Sequence, residues 1–388
     1  MTTPTPEQVL RGRVVTPTGV HDDGLVVVAG DRITDIGPVT AYDGDQRLPD
    51  PVGLVLPGLV DIHCHGGGGS AITSGDPEQV LAVARHHLAA GTTSVVCSTV
   101  ADSPERMLAV VSAAASAVTG GEAAAIHLEG PFLSPGQCGA QDPRHLRAPD
   151  PGLARELVAA GDGHVRTMTL APELPGAEEL VELVWSLGVV PAVGHTQADY
   201  TTVTRVLSGP GAALVTHLFN GMPPMHHRSP GPVAASLAAA ARGDARVELV
   251  ADGVHVADGT VRTVFELLGP TAIALVTDAM AAAGMPDGDY RLGPQDVTVR
   301  DGVARLRGPG EQSIAGGTSR LLDVVRRCVQ VAGIDLSDAV SAASATPAAV
   351  LGMSGEVGAL APGLRADLLV VDDDLRLQRV MRSGRWVE

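Results

Sequence analysis

Eight apolar runs of strand length, at 54–62, 94–99, 123–129, 165–171, 189–194, 213–216, 247–251 and 273–277, dominate this chain of 388 residues. Amphipathic Ala- and Leu-rich segments near 76–91, 104–118, 152–161, 177–188, 198–208, 233–242 and 259–268 separate them. Continuous apolar strands buried on both faces pair in parallel, and parallel neighbours need a crossover, usually a helix, between them. Eight such units predict the α/β class and a (β/α)8 TIM-like barrel. A doubly wound open sheet shares the same periodicity, so that alternative stays open. Short alternating runs at 10–56 and 364–388, broken by Gly, Pro and Asp, read instead as antiparallel strands. They predict a small β-sandwich built from 1–55 and 355–388, with 56–354 left for the barrel. The longest irregular stretches, 130–150 and 279–318, are candidate active-site loops.

Composition removes whole classes of chemistry. All 27 basic residues are Arg, because the chain has no Lys. Schiff-base and pyridoxal mechanisms, a phosphate-loop Lys and a carboxylated Lys bridging two metals are therefore excluded. A net charge of −17 with no basic block argues against nucleic acid as a partner. Cys64, Cys97, Cys138 and Cys328 show no paired spacing, which predicts free thiols and a reducing compartment. The start, MTTPTPEQVLRGRVV, has neither a basic nor an apolar leader region, and no stretch reaches about 18 apolar residues. A cytoplasmic protein with no membrane partner is expected.

The residues at which the runs stop are more specific than the runs themselves. The first ends in Asp61-Ile62-His63-Cys64-His65, the third in His127-Leu128-Glu129, the fifth in Gly194-His195, the sixth in Thr216-His217 and the eighth in Thr277-Asp278. In a barrel these C-terminal strand ends converge on one mouth. His63 and His65, two apart on a strand, share a face and can grip one ion. With no Lys available, Glu129 is the carboxylate placed to bridge two ions, and His195 with His217 completes a second set. His127 lies deeper on its strand and reads as a support. Asp278 has two readings: a proton acceptor opposite a metal-held water, or an N-cap for a helix beginning Ala-Met-Ala-Ala-Ala. His86 and His87 read as surface or packing residues. Gly66 to Gly69 read as a tight turn. Arg228 in a Pro-bounded loop could take a phosphate, and His255 after the seventh run faces the mouth, each against the reading of an ordinary solvated loop.

Taken together, PGLVDIHCHGGGG (57–69), HLEGPFLSP (127–135), GHTQAD (194–199), THLFNGMPP (216–224), ADGVHV (251–256), TDAM (277–280) and GLRADLLVVD (363–372) strongly resemble the amidohydrolase superfamily. Within it they are similar to the N-acetylglucosamine-6-phosphate deacetylase branch. That resemblance implies a metal-dependent barrel with a flanking β-sandwich, a homodimer, and hydrolysis of a sugar-phosphate acetamide. It implies Glu129, His195 and His217 as the principal metal ligands, Asp278 as general base and acid, and His255 as the group polarising the substrate carbonyl. It implies Asn220, Gly221 and Arg228 as holders of the sugar phosphate, the Arg often reaching across the dimer. Gly139-Ala140-Gln141 stands where some members carry a His, and Ala140 is counted with the substrate-binding positions. Ser313 to Gly317 resembles a loosened form of the segment that closes over substrate. The expected cofactor is a divalent ion, Zn²⁺ by its nitrogen and oxygen ligands, with one tight site and a second, weaker one at His63 and His65. The rival readings are an amidohydrolase acting on another N-acylated sugar phosphate or amino acid, and a silent barrel scaffold.

Overall fold

The structure, a computed structural model, describes residues 7–42, 48–209, 213–308 and 313–388. Residues 1–6 of the opening segment and residues 309–312 of the long irregular stretch lie outside the described residues. Eight parallel strands follow one another around the sheet in chain order. They are β1 (Leu59–Asp61), β2 (Thr92–Ser98), β3 (Ala125–Glu129), β4 (Val165–Leu170), β5 (Val190–Val193), β6 (Leu214–Val215), β7 (Arg246–Leu249) and β8 (Ile273–Leu275). Past the last strand the chain meets the first. Thr277 donates its hydroxyl to Asp61 at 2.6 Å, the Asp278 N–H donates to the His63 carbonyl at 3.0 Å and the His65 N–H to the Ala279 carbonyl at 2.8 Å. This seam closes a barrel and excludes the open sheet.

Every residue of β2 and β3 is buried. Strands covered on both faces show no alternation, which is why they read as continuous apolar runs. Four of the seven helices between them begin where short polar side chains cap free N–H groups. Asp76 accepts from Glu78, Ser103 from Arg106, Asp150 from Gly152 and Leu153, and Asp199 from Thr202. In the first three the cap is followed by a Pro at the helix start, where its missing N–H costs nothing.

The run at 54–62 is two strands. Leu54–Pro57 pairs with Gln8–Thr16 and antiparallel with Leu368–Val371, in a seven-stranded sheet that joins both ends of the chain. The domain boundary expected at 55/56 falls inside that strand. At the junction, a Cβ on Gly58 would sit 2.2 Å from Thr93 Oγ1, so only a glycine lets the chain pass this close from one sheet to the other. The seven-stranded sheet folds over itself: the Ile33 N–H donates to the Leu364 carbonyl at 2.9 Å and the Ala366 N–H to Asp31 at 2.8 Å, across positions distant in strand order. Val14, Val26, Val28, Ile33, Val55, Leu368 and Met381 pack inside the fold.

The stretch 279–318 is not simply a loop. It holds an antiparallel sheet of Gly288–Leu292, Gln295–Arg300 and Val303–Leu306, whose Leu292, Val297 and Val299 pack on Val100 and Met280 above the barrel mouth. Three further helices, Leu321–Arg327, Leu336–Ala342 and Ala345–Val350, follow the eighth strand.

Candidate metal centre and catalytic cavity

The ends of β1, β3, β5 and β6 bring together five side chains able to hold a metal ion. His195 Nε2 and His217 Nε2 lie 3.1 and 3.0 Å from Glu129 Oε1 and 3.1 Å from each other. His63 Nε2 and His65 Nε2 are 3.1 Å apart. They lie 3.6 Å from Glu129 Oε1 and 3.4 Å from Glu129 Oε2 respectively. The two triads, Glu129 with His195 and His217 and Glu129 with His63 and His65, thus share one carboxylate. All five residues are buried.

Chain turns impose this convergence. His195, His217 and Asp278 hold φ of 45°, 28° and 48°, in the left-handed region where a side chain costs roughly 1–3 kcal/mol. Each turns sharply off its strand end. Gly221 at φ 61° completes the fit, since a Cβ there would lie 2.9 Å from His195 Nδ1.

The donor chemistry fits a cation. His63 Nδ1–H donates to Glu248 at 2.8 Å, His65 Nδ1–H to the Ser98 carbonyl at 3.3 Å and His195 Nδ1–H to the Gln137 carbonyl at 2.8 Å. A carbonyl or carboxylate can only accept, so the proton of each neutral ring sits on Nδ1 and the Nε2 lone pairs face one another and Glu129. Lone pairs packed at 3.1 Å around a carboxylate repel unless a positive charge lies among them. His217 Nδ1 is buried with no partner among the described residues.

The electrostatics agree. Burial pushes His63 down, but the Glu248 and Glu129 carboxylates outweigh it and hold the ring well above its usual value. Burial likewise opposes His195, and the Glu129 bond raises it. Burial would raise Glu129, yet the charge on His63 and bonds from His195 and His217 carry it well below the carboxylate range. This mutual stabilisation belongs to a site demanding positive charge.

Asp278 stands opposite. Its Oδ1 is 3.2 Å from His65 Nε2, and its Oδ2 is 3.9 Å from His255 Nε2. Burial works to raise its carboxyl, and the bond from His65 with the charges of His63 and His65 depress it. No helix begins at Ala279, which bridges Cys64 and Gly317 before the chain turns at 281–284, so the cap reading has no helix to serve. His255 Nδ1–H donates to Asp252 at 2.8 Å. Burial lowers His255, and the Asp252 bond and charge outweigh it to raise the ring.

A cavity of about 460 Å³ opens above these groups. His65, Glu129, His195, His217, His255 and Asp278 form its floor, and Ala140, Asn220, Gly221, Leu292 and Ile314 are among its walls. Arg228 is exposed, is not among the lining residues, and points its Nη1 at His227 Nε2 at 2.7 Å. Residues 313–317 stand at the rim through Ser313, Ile314 and Gly316.

Other placements depart from the sequence. Gln141, in the segment where some members carry a His, donates to Glu129 Oε2 at 2.6 Å while its own carbonyl accepts from the Ala101 N–H at 2.8 Å. Glu248 was missed. It accepts from His63 and, at 3.1 Å, from the His217 N–H, fixing members of both triads. The available signal was an acid inside the apolar run Val247 to Ala251. His127 bonds Ser98 at 3.0 Å and Thr169 at 2.8 Å and supports the ring of His63 edge-on. His87 is fully buried and donates to the Gly66 carbonyl at 2.9 Å, while His86 is half-buried.

Comparison with known proteins adds the following. The model of the Amidohydrolase family matches residues 54–387. The chain is 32% identical over 375 residues to the N-acetylglucosamine-6-phosphate deacetylase of Bos taurus, covering 93% of this chain and 90% of that one. It is 33% identical over 384 residues to the N-acetylgalactosamine-6-phosphate deacetylase of Escherichia coli O157:H7, covering 97% and 98%. A variant of the N-acetyl-D-glucosamine-6-phosphate deacetylase of Mycobacterium smegmatis, solved in complex with N-acetyl-D-glucosamine-6-phosphate, superposes with a TM-score of 0.92 at 40% identity, covering 98% of this chain and 99% of that one.

Proposed function

The chain belongs to the amidohydrolase family, and on that footing we propose that it hydrolyses the acetamide of N-acetylglucosamine 6-phosphate to glucosamine 6-phosphate and acetate. The observation that carries this reading is the shared-carboxylate centre with Asp278 and His255 facing it across one cavity. It is supported by the likeness to a deacetylase solved with that sugar phosphate.

Glu129, His195 and His217 would hold a divalent ion, with His63, His65 and Glu129 as a second, weaker set. A mixed nitrogen and oxygen donor set suits Zn²⁺. Such an ion supplies Lewis acidity that polarises an acyl oxygen and lowers the pKa of water. Asp278, ionised through its depressed pKa, accepts the proton of the attacking water and then delivers it to the departing amine. An amide nitrogen leaves poorly unless protonated, so the second transfer is as necessary as the first. His255 donates from Nε2 to the acetyl oxygen. Its Nδ1–H is already committed to Asp252, and the raised pKa is what leaves a second proton on Nε2. Asn220, Gly221 and Ala140 border the sugar.

Among the described residues the cavity has no arginine in its lining, yet a phosphate dianion needs a cation. Arg228 sits on an exposed loop, and we place it in the site of a second copy, which makes the enzyme a homodimer. Among the described residues no helix is long and apolar enough to cross a membrane. The cysteines are free, which supports a cytoplasmic location.

Acetate release from N-acetylglucosamine 6-phosphate, measured beside its galacto epimer and unphosphorylated N-acetylglucosamine, tests the reading. We expect turnover of the gluco phosphate above both. Preference for the epimer would favour the second reading, N-acetylgalactosamine 6-phosphate, which the similarity to the Escherichia coli O157:H7 enzyme supports. Release from none of the three would overturn both.

A further inference from the structure

Away from the catalytic mouth, a second cleft of about 320 Å³ opens where three parts of the chain meet. His86 on the helix Pro77–Ala89, Arg320, Asp323 and Arg326 at the helix Leu321–Arg327, and Arg376 with Leu377 at the last antiparallel strands line it. Three of the chain's 27 arginines therefore converge in a protein of net charge −17. Some arginines elsewhere pair with carboxylates: Arg11 with Asp23 at 2.8 Å, Arg32 with Glu356 at 2.7 Å and Arg327 with Asp258 at 2.7 Å. In the cleft only Arg326 does, through Asp323, the single carboxylate of the lining. The guanidinium groups of Arg320 and Arg376 have no acceptor among the described residues. The net charge facing the cleft is thus two positive with His86 neutral, and His86 is held below its usual pKa by burial and by Arg320.

Like charges brought together without a counter-ion repel, and folding gains nothing from the arrangement unless something anionic enters. Planar guanidinium forks match the oxygens of a phosphate, and two uncommitted forks match its two charges. The half-buried ring of His86 is a further polar group in the lining. The chain also leaves room for this arrangement: Gly284, at φ 74°, packs so closely that a Cβ there would lie 2.9 Å from Arg320 Nη2 and 2.8 Å from His86 Cε1.

We infer that this cleft is a binding site for a phosphate-bearing anion, separate from the catalytic cavity and bridging the barrel to the terminal sheet. Equilibrium dialysis of the full chain against radiolabelled inorganic phosphate tests it. We expect binding that weakens at least about tenfold in Arg320→Gln with Arg376→Gln, weakens partly in the exposed single change Arg376→Gln, and persists in Arg228→Ala. Competition by 3-phosphoglycerate then separates the sources: displacement at lower concentration than unlabelled phosphate assigns an organic phosphate, and equal displacement assigns the free ion. Unchanged binding in both the single and the double variant overturns the inference. So does loss in Arg228→Ala with retention in the double variant, which would put the phosphate in the catalytic cavity.

Discussion

Asp278 is held at φ 48° with one carboxylate oxygen 3.2 Å from His65 and the other 3.9 Å from His255. A strained backbone is retained only where surroundings enforce it, and here it aims the carboxylate over the centre. Asp278→Asn keeps the size and loses the proton acceptor. We expect metal content close to wild type and turnover lower by at least about a hundredfold, the usual scale of general acid–base loss; near-normal turnover would remove the proton-shuttle role. The pair His63 and His65 makes a separate prediction. Changing both to Asn should remove about one metal equivalent per chain after dialysis and leave partial activity, whereas His195→Asn should abolish it. One equivalent in wild type and double variant alike would make the pair structural, and complete inactivity of the double variant would require both ions for the reaction. These side chains were legible because each is a polar residue ending an apolar run. Glu248 and Gln141 were not, because what marks them is a partner 185 and 12 residues away, and a chain pattern does not encode such a meeting.

The barrel strands and their seven following helices were readable from periodicity, and three of those helices open on an Asp-Pro or Ser-Pro cap. The helix Pro77–Ala89 also carries a device that periodicity hides. His87 faces the glycine turn after β1, is fully buried, and is pushed by burial to a pKa of about 4 from 6.5. Between those values the unfolded chain binds a proton that the native protein refuses, so stability is present above about 6.5 and is lost as pH falls toward 4. His87→Gln keeps a donor for Gly66 and removes the titration. Urea unfolding between pH 4 and 6.5 should show a slope of stability against pH shallower by up to ~1.4 kcal/mol per pH unit; an unchanged slope would mean His87 titrates normally. The antiparallel sheet within 279–318 was missed for a different reason. Its alternation of Val297 and Val299 with Asp296 and Arg300 is present, but the strands are four to six residues long and gain apolar partners from distant residues such as Val100, Met280 and Ala140.

The assembled protein poses the remaining question of charge. Among the described residues its catalytic cavity has no arginine in the lining, and Arg228 lies on an exposed loop outside it. Arg228→Ala should raise KM for the phosphorylated sugar far more than for the unphosphorylated one. If the residue acts across a twofold interface, mixing Arg228→Ala chains with Asp278→Asn chains should restore activity, to about a quarter of wild type with random pairing of equal amounts and one sound site per mixed dimer. No recovery after exchange would place Arg228 within its own chain or leave it structural. From the order of its residues alone the chain specified its barrel strands, most of its helices, the absence of lysine chemistry and the polar residues at several strand ends, because these depend on neighbours within a few positions. Folding had to settle the rest. It split Leu54–Pro57 from Leu59–Asp61 between two sheets, closed the barrel through Asp61 and Thr277, turned His87 inward and gathered Arg320, Arg326 and Arg376 around one cleft. Each of these joins residues distant along the chain, and their energies come from burial and hydrogen bonding that exist only when the barrel is closed.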